Sequence, residues 1–155
     1  MDRLTRAERS RLMARIRGAN TRPELVVRRI LSVLGIRYRI HERPLPGTPD
    51  IVLTRARKAI FVHGCFWHRH SCRRGQSMPS THRRFWEKKL RANRLRDRCT
   101  RRRLRDLGWK ILVVWECQTT PQRLDHLAHR LAIFAGPLAR DPSTPGRMAR
   151  RNPGG

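Results

Sequence analysis

The stretch His63-Gly-Cys-Phe-Trp-His-Arg-His-Ser-Cys72 packs three histidines and two cysteines into ten residues, with two aromatics between them. Imidazole and thiolate are the ligand types that zinc takes, four at a time in a tetrahedron when the site is structural. Cys65, His70 and Cys72 can reach one ion, and Cys117, just after an apolar run, is the natural fourth ligand. Such a site would staple the loop to the rest of the fold. The alternative is scattered thiols that only pack, and Cys99, among arginines in a helical stretch, is left in that class.

Two further signals involve carboxylates. Pro49-Asp50 opens a β-rich run after a loop. A carboxylate at a strand end can hold Mg²⁺, which keeps several waters and needs only one or two protein carboxylates. A symmetric hairpin between residues 50–54 and 59–63 places Asp50 opposite His63. Trp86, Leu90, Asn93, Asp97 and Leu104 fall on one helical stripe that is apolar at both ends. Asn93 and Asp97 thus stand where leucine is expected, and burying them is costly unless partners satisfy them. A histidine from the loop would satisfy Asp97 and be oriented by it, as a general base requires.

These groups need a frame. Thr5-Arg6-Ala7-Glu8 and Thr21-Arg22-Pro23-Glu24 have the capping-box pattern and open two helices. The first ends at Gly18; the second turns Leu25, Ile30, Leu31 and Leu34 inward and ends at Gly35. Ile36 to His41 reads as a strand, followed by the two β-rich runs of the hairpin. Ser80 or Thr81 caps a long helix to Leu107, and Trp109 to Trp115 is an apolar strand expected at the centre of a sheet. Thr120-Pro121 opens a last helix. The order α, α, β, β, β, α, β, α makes an α/β domain with a mixed sheet flanked by helices. It divides into a basic arm with a short helix (1–20), a core (21–135) and a disordered basic tail (136–155).

With 37 Lys plus Arg against 11 Asp plus Glu, the 155-residue chain carries a formal charge of +26. Self-repulsion opposes folding, so the imbalance points to a polyanionic partner. A membrane surface would need a basic amphipathic stretch with an apolar face, which is missing. No apolar run approaches the roughly 20 residues of a membrane span. A cytoplasmic protein follows, whose four cysteines read as ligands or core before disulfides.

The run Phe61-Val-His-Gly-Cys-Phe-Trp-His-Arg-His-Ser-Cys72, the Pro49-Asp50 step and Gly108-Trp-Lys-Ile-Leu-Val-Val-Trp-Glu-Cys117 resemble the very short patch repair (Vsr) endonucleases. The likeness runs in order, with matching spacing, over about residues 5 to 135. It implies a restriction-endonuclease-like (PD-(D/E)XK-type) fold with a zinc-stapled loop. It also implies a monomeric bacterial enzyme, working beside the nucleoid, that nicks duplex DNA on the 5′ side of the T in a T:G mismatch left by deamination of 5-methylcytosine. Asp50 would bind Mg²⁺ with the backbone carbonyl of Val62, and Glu24 would lie near the metal waters. His68, oriented by Asp97, would activate water, and His63 would act at the scissile phosphate. Cys65, His70, Cys72 and Cys117 would hold structural zinc, and Phe66, Trp67 and Trp86 would wedge into the base stack. Val62 replaces the family's usual threonine, which a carbonyl ligand tolerates, and the tail past Leu138 has no counterpart.

Two rival classes are weaker. A zinc-stapled binding module for RNA or DNA would use the same charge but has no reason to gather Asp50, His63, His68 and Asp97. A methylase or glycosylase acting on a flipped base would leave those groups idle, and the chain has no glycine-rich cofactor loop.

Overall fold

The computed structural model describes Thr5, Ala7 and residues 19–137. The short helix read between Thr5 and Gly18, and the basic tail from Leu138, lie outside the described residues apart from Thr5 and Ala7.

Helix α1 (Arg22–Val33) starts behind Thr21, with proline in its first turn where no N–H is missed. Its inward stripe is Glu24, Val27 and Leu31. Leu25, read as inward, is 50% exposed, because that stripe runs through 24, 27 and 31 and turns Leu25 aside. The helix closes on Gly35 at φ +69°, where Gly35 N–H and Ile36 N–H return to the carbonyls of Ser32 and Leu31 at 3.1 and 2.9 Å.

Strand β1 is only Arg39–Ile40, not residues 36–41. His41 takes a left-handed backbone (φ +49°), which turns the chain out of the sheet after Ile40. Strands β2 (Ile51–Leu53), β3 (Lys58–His63) and β4 (Lys110–Trp115) complete a sheet ordered β1-β2-β3-β4. The first two pairings are antiparallel and β3–β4 is parallel.

The hairpin register differs from the expected one. Ile51 pairs with Ile60 and Leu53 with Lys58, so Asp50 stands across from Phe61 rather than His63. Lys58 joins the strand, and the turn tightens to Thr54–Arg57, with Arg57 N–H bonded to Thr54 O at 3.1 Å. That shift moves the pairing by two residues and keeps every side chain on its face.

The apolar strand β4 lies at the margin of the sheet, pairing only with β3 among the described residues. Its hydrophobic run is explained by cover on both faces. Val114 joins Val27, Leu31, Ile60, Leu127 and Leu131 on the side of α1 and α4 (Leu124–Ala135), while Ile111 and Val113 pack with Phe61 and Leu104 on the other.

Between β3 and β4 the chain forms the short helix α2 (Arg73–Gln76) and the long helix α3 (Arg83–Asp106). Helix α3 begins later than expected, behind His82 in a left-handed conformation, with no side-chain cap. Trp86, Leu90 and Leu104 are buried against the fold, with Asn93 and Asp97 half-buried between them. Gly47 (φ +73°) lets the loop before Asp50 lie on this helix; a methyl there would come within 2.2 Å of Thr100 Cγ2. No helix among the described residues is long and apolar enough to cross a membrane.

The β2–β3 turn caps two helices. Arg57 Nη2 donates to Leu107 O at the end of α3, and Lys58 Nζ donates to Phe134 O and Ala135 O at 2.6 and 3.0 Å. A cation on orphan C-terminal carbonyls contributes on the order of 1 kcal/mol. Lys58→Met should therefore lower the unfolding free energy by about that amount, read as a reduced denaturant midpoint. An unchanged midpoint would show that these bonds only replace water.

Candidate functional site

At the end of the sheet where β3 and β4 finish, a cleft of about 960 Å³ is lined by Glu24, His41, Asp50, Val62, His63, Phe66, Trp67, His68 and Asp97, among others. Two sets of ligand-type groups line it, Glu24–His41–Asp50 and His63–His68–Asp97, and a third, Cys65–His70–Cys72–Cys117, lies outside its lining; within each set the donor atoms are within 4.8 Å of one another.

Asp50 sits at the mouth of β2 and is held by Val62 N–H, which donates to Oδ2 at 2.7 Å. Burial pushes its carboxyl up to about 6, helped by the nearby Glu24 and opposed by the Val62 bond, His41 and His68. Glu24 is only 2% exposed. Its carboxylate accepts from Asn20 N–H at 3.0 Å, Thr21 Oγ1 at 3.2 Å and Arg28 Nη2 at 3.1 Å, and lies 3.2 Å from His41 Nε2. The capping and site readings of Glu24 therefore describe one carboxylate: it closes the start of α1 and borders the cleft. The sequence reading passed over Arg28 and His41. Only a histidine next to a proline-rich loop, at a position where the chain must turn, could have marked His41.

Across the cleft, His68 Nδ1 and Asp97 Oδ2 are 2.6 Å apart. A carboxylate oxygen accepts here, so Nδ1 carries the hydrogen of this bond, and in the neutral tautomer that leaves the lone pair on Nε2. The His68 ring stacks on His63 with centroids 3.8 Å apart and planes 7° from parallel. Burial first, then the neighbouring His68, pushes His63 down to about 3, so its ring stays neutral. Asn93 Nδ2 donates to Trp67 O at 3.2 Å. Both polar positions of the α3 stripe thus meet the Cys/His loop.

The loop also brings the thiols together. His70 Nδ1 lies 3.9 Å from Cys65 Sγ and 3.5 Å from Cys117 Sγ, and Cys117 N–H points at Cys65 Sγ at 3.4 Å. Gly75 makes room, since a methyl there would come within 2.0 Å of His70 O. Burial pushes the Cys65 thiol up to about 12, whereas Gly75 N–H brings Cys72 down to about 6. Three thiols and one imidazole form the soft, closed donor set that suits zinc. The Asp50 side offers hard oxygen, suited to Mg²⁺. Cys99 is exposed and apart from this set.

Phe66, Trp67 and Trp86 form one aromatic cluster, with centroids 5.2 to 5.9 Å apart. Trp86 is the buried member, and Phe66 and Trp67 line the cleft half-exposed. Lys89 Nζ lies 5.6 Å from the Trp67 ring and 5.8 Å from that of Trp86, a contact the sequence reading did not include.

Comparison with known proteins relates the chain to DNA endonucleases. Residues 1–74 match the family model described as DNA mismatch endonuclease Vsr. The chain is 48% identical over 117 residues to the type II nicking enzyme V.XorIIP of Xanthomonas oryzae pv. oryzae, covering 76% of this chain and 85% of that one. It is 40% identical over 119 residues to the DNA mismatch endonuclease Vsr of Escherichia coli K12, covering 75% and 72%. The type II nicking enzyme V.NaeI of Lentzea aerocolonigenes is 41% identical over 115 residues, covering 71% and 68%.

The neutral His63 makes a pH prediction. Unfolded, its ring takes a proton below about pH 6.5; folded, it refuses one until about 3. Its burial therefore costs nothing above pH 6.5, and removes stability progressively as pH falls from there towards 3. Asp50 acts oppositely between about 6 and 3.8, because the folded carboxyl keeps its proton there. Between about pH 7.5 and about pH 5, the urea midpoint should fall less in His63→Gln than in the wild type. Equal falls would show that His63 does not resist protonation in the fold.

Proposed function

The chain belongs to the DNA mismatch endonuclease Vsr family, and we propose that it makes a Mg²⁺-dependent nick on the 5′ side of the T in a T:G mismatch. The observation that carries this reading is the His68–Asp97 pair at 2.6 Å, facing Asp50 within one cleft. A pure binding module gains nothing from an oriented imidazole or from a carboxylate whose burial raises it to about 6.

In this proposal Asp50, with the backbone carbonyl of Val62, would hold Mg²⁺. The ion would supply charge neutralisation at the phosphate and a more acidic water. His68, oriented by Asp97 through Nδ1, takes the proton of the attacking water at Nε2. Neutral His63, stacked on His68, meets the scissile phosphate without adding a second positive ring. Glu24, fixed by Arg28 and His41, borders the waters around the ion.

Phe66 and Trp67 form the half-exposed part of the wedge, and the buried Trp86, against both rings, backs them. Inserting a ring between base pairs costs a few kcal/mol of unstacking per step, and least where pairing is already imperfect. That difference favours a mismatch over a matched pair. The αβββαβ order supports a restriction-endonuclease-like core over residues 21–135, stapled by zinc on Cys65, His70, Cys72 and Cys117. The arm 1–20 and the tail 136–155 would add charge for duplex DNA, met by a monomer in the cytoplasm.

The direct test is nicking of a labelled T:G duplex against its T:A twin, with and without Mg²⁺. Selective, Mg²⁺-dependent nicking of the T strand is expected. Asp50→Ala should abolish it while leaving duplex affinity intact, since losing an anion near phosphate does not weaken the electrostatic term. Equal cutting of both duplexes would refute the mismatch assignment, and wild-type cutting by Asp50→Ala the metal site.

Metal analysis tests the staple separately. One zinc per chain is expected in freshly purified protein. Cys117→Ser should lose it and unfold more readily, and Cys99→Ser should retain it. Zinc-free, fully folded wild-type protein would end the assignment.

A further inference from the structure

Helix α3 carries twelve Lys or Arg against three acids, more cation than the cleft uses. The cleft takes one flank of it, with Lys89, Asn93, Arg96, Asp97 and Thr100. On the other flank lies a separate groove of about 460 Å³, lined by Arg69, Arg91, Arg94 and Arg98 over Met78, Leu90 and Leu95, with Glu87 at its edge. At 3.6 residues per turn, Arg94 stands about 160° around the helix from Arg96. The two surfaces therefore face apart.

The guanidinium groups of this groove are available. Arg91, Arg94 and Arg98 are exposed and make no ion pair or hydrogen bond among the described residues. Arg69 is braced against the loop by its bond to Ser77 O at 2.7 Å, and Glu87 is occupied by Arg83 at 3.2 Å. From Arg91 to Arg98 the helix rises about 10.5 Å, close to the axial rise of three base-pair steps of duplex DNA. Arg84, Arg102 and Arg105 continue the same side, so the row spans about 32 Å. Planar guanidinium forks repeated at this spacing match phosphate oxygens.

We propose that this flank of α3 binds the phosphodiester backbone of a second DNA segment, separate from the one in the cleft. The protein then passes from one segment to the next while holding both, without release into solution. Such transfer shortens the search for a rare mismatch in a large excess of matched duplex. This inference rests on the DNA-cutting role of the family, not on the T:G or Mg²⁺ assignment.

The test measures dissociation of the full-length protein from a short labelled matched duplex, against rising concentrations of unlabelled duplex. For the wild type the rate should climb severalfold with competitor, because the second segment binds before the first leaves. The variant Arg91→Glu/Arg94→Glu/Arg98→Glu should show a flat rate while still nicking a mismatched duplex. A control with the same change in net charge, Arg29→Glu/Arg55→Glu/Arg123→Glu, should keep the climb. If the groove variant does not fold, the uncharged Arg91→Gln/Arg94→Gln/Arg98→Gln takes its place under the same criteria. A flat wild-type rate, a climb that survives the groove variant, or an equal loss in the control would each overturn the proposal. Because matched duplex is used and no cutting is read, the result stands apart from the nicking assay.

Discussion

Parallel pairing of β3 with β4 obliges both strands to end at the same edge of the sheet. His63 and Trp115 are partners in that register, so the segments that follow them leave side by side. Cys65 and Cys117, 52 residues apart in sequence, meet for this reason alone. A parallel pair also needs a long crossover, and here α3 fills it. The same crossover that permits the pairing carries Asn93 and Asp97 over the strand ends, onto the loop that holds His68. Loss of the β3–β4 pairing would part Cys65 from Cys117 and free the crossover that holds Asp97 on His68.

Polar groups survive in this small interior because they satisfy one another. Glu24 is buried with four neighbours, and Asp97 has His68 where a leucine would have had only apolar contact. The arrangement still carries a cost. Arg28 Nε is buried with no partner, and Asp50 and His63 are both pushed towards their neutral forms by burial. A domain selected for stability alone would place aliphatic side chains at these points. The expense falls at the end of the sheet, where the two strands present their loops.

What the sequence disclosed was mostly local. Ligands at Cys65, His70 and Cys72 lie within one short loop, and the α3 stripe repeats at helical spacing, so both could be read from neighbours in the chain. The position of β4 could not. A continuous apolar run says that both faces meet other elements, yet helices on both sides do this for a marginal strand too, here with Val114 fully buried and its neighbours half-buried. The hairpin register failed for a related reason: Lys58 looks like turn composition, but its ammonium has carbonyls to meet on α4 and so enters the strand. His41 stayed hidden because its role depends on a left-handed backbone and on Glu24, 17 residues earlier. Leu25 is apolar by composition and exposed by phase, a distinction that single-residue hydrophobicity does not hold.

The capping of α3 and α4 from one turn has a consequence for the whole molecule. Both helices end beside Arg57 and Lys58, while α1 begins beside Asp50 at the opposite end of the sheet. Two helix ends thus lie together beside the start of β3, and one helix start lies where β3 finishes. Each helix places roughly half a positive charge at its start and half a negative charge at its finish. The negative poles of α3 and α4 meet the two cations at the turn, and the positive pole of α1 lies beside the cleft. Two of the chain's cations are thus committed to the fold itself, and the field that draws a polyanion from a distance comes from the rest of its formal charge of +26.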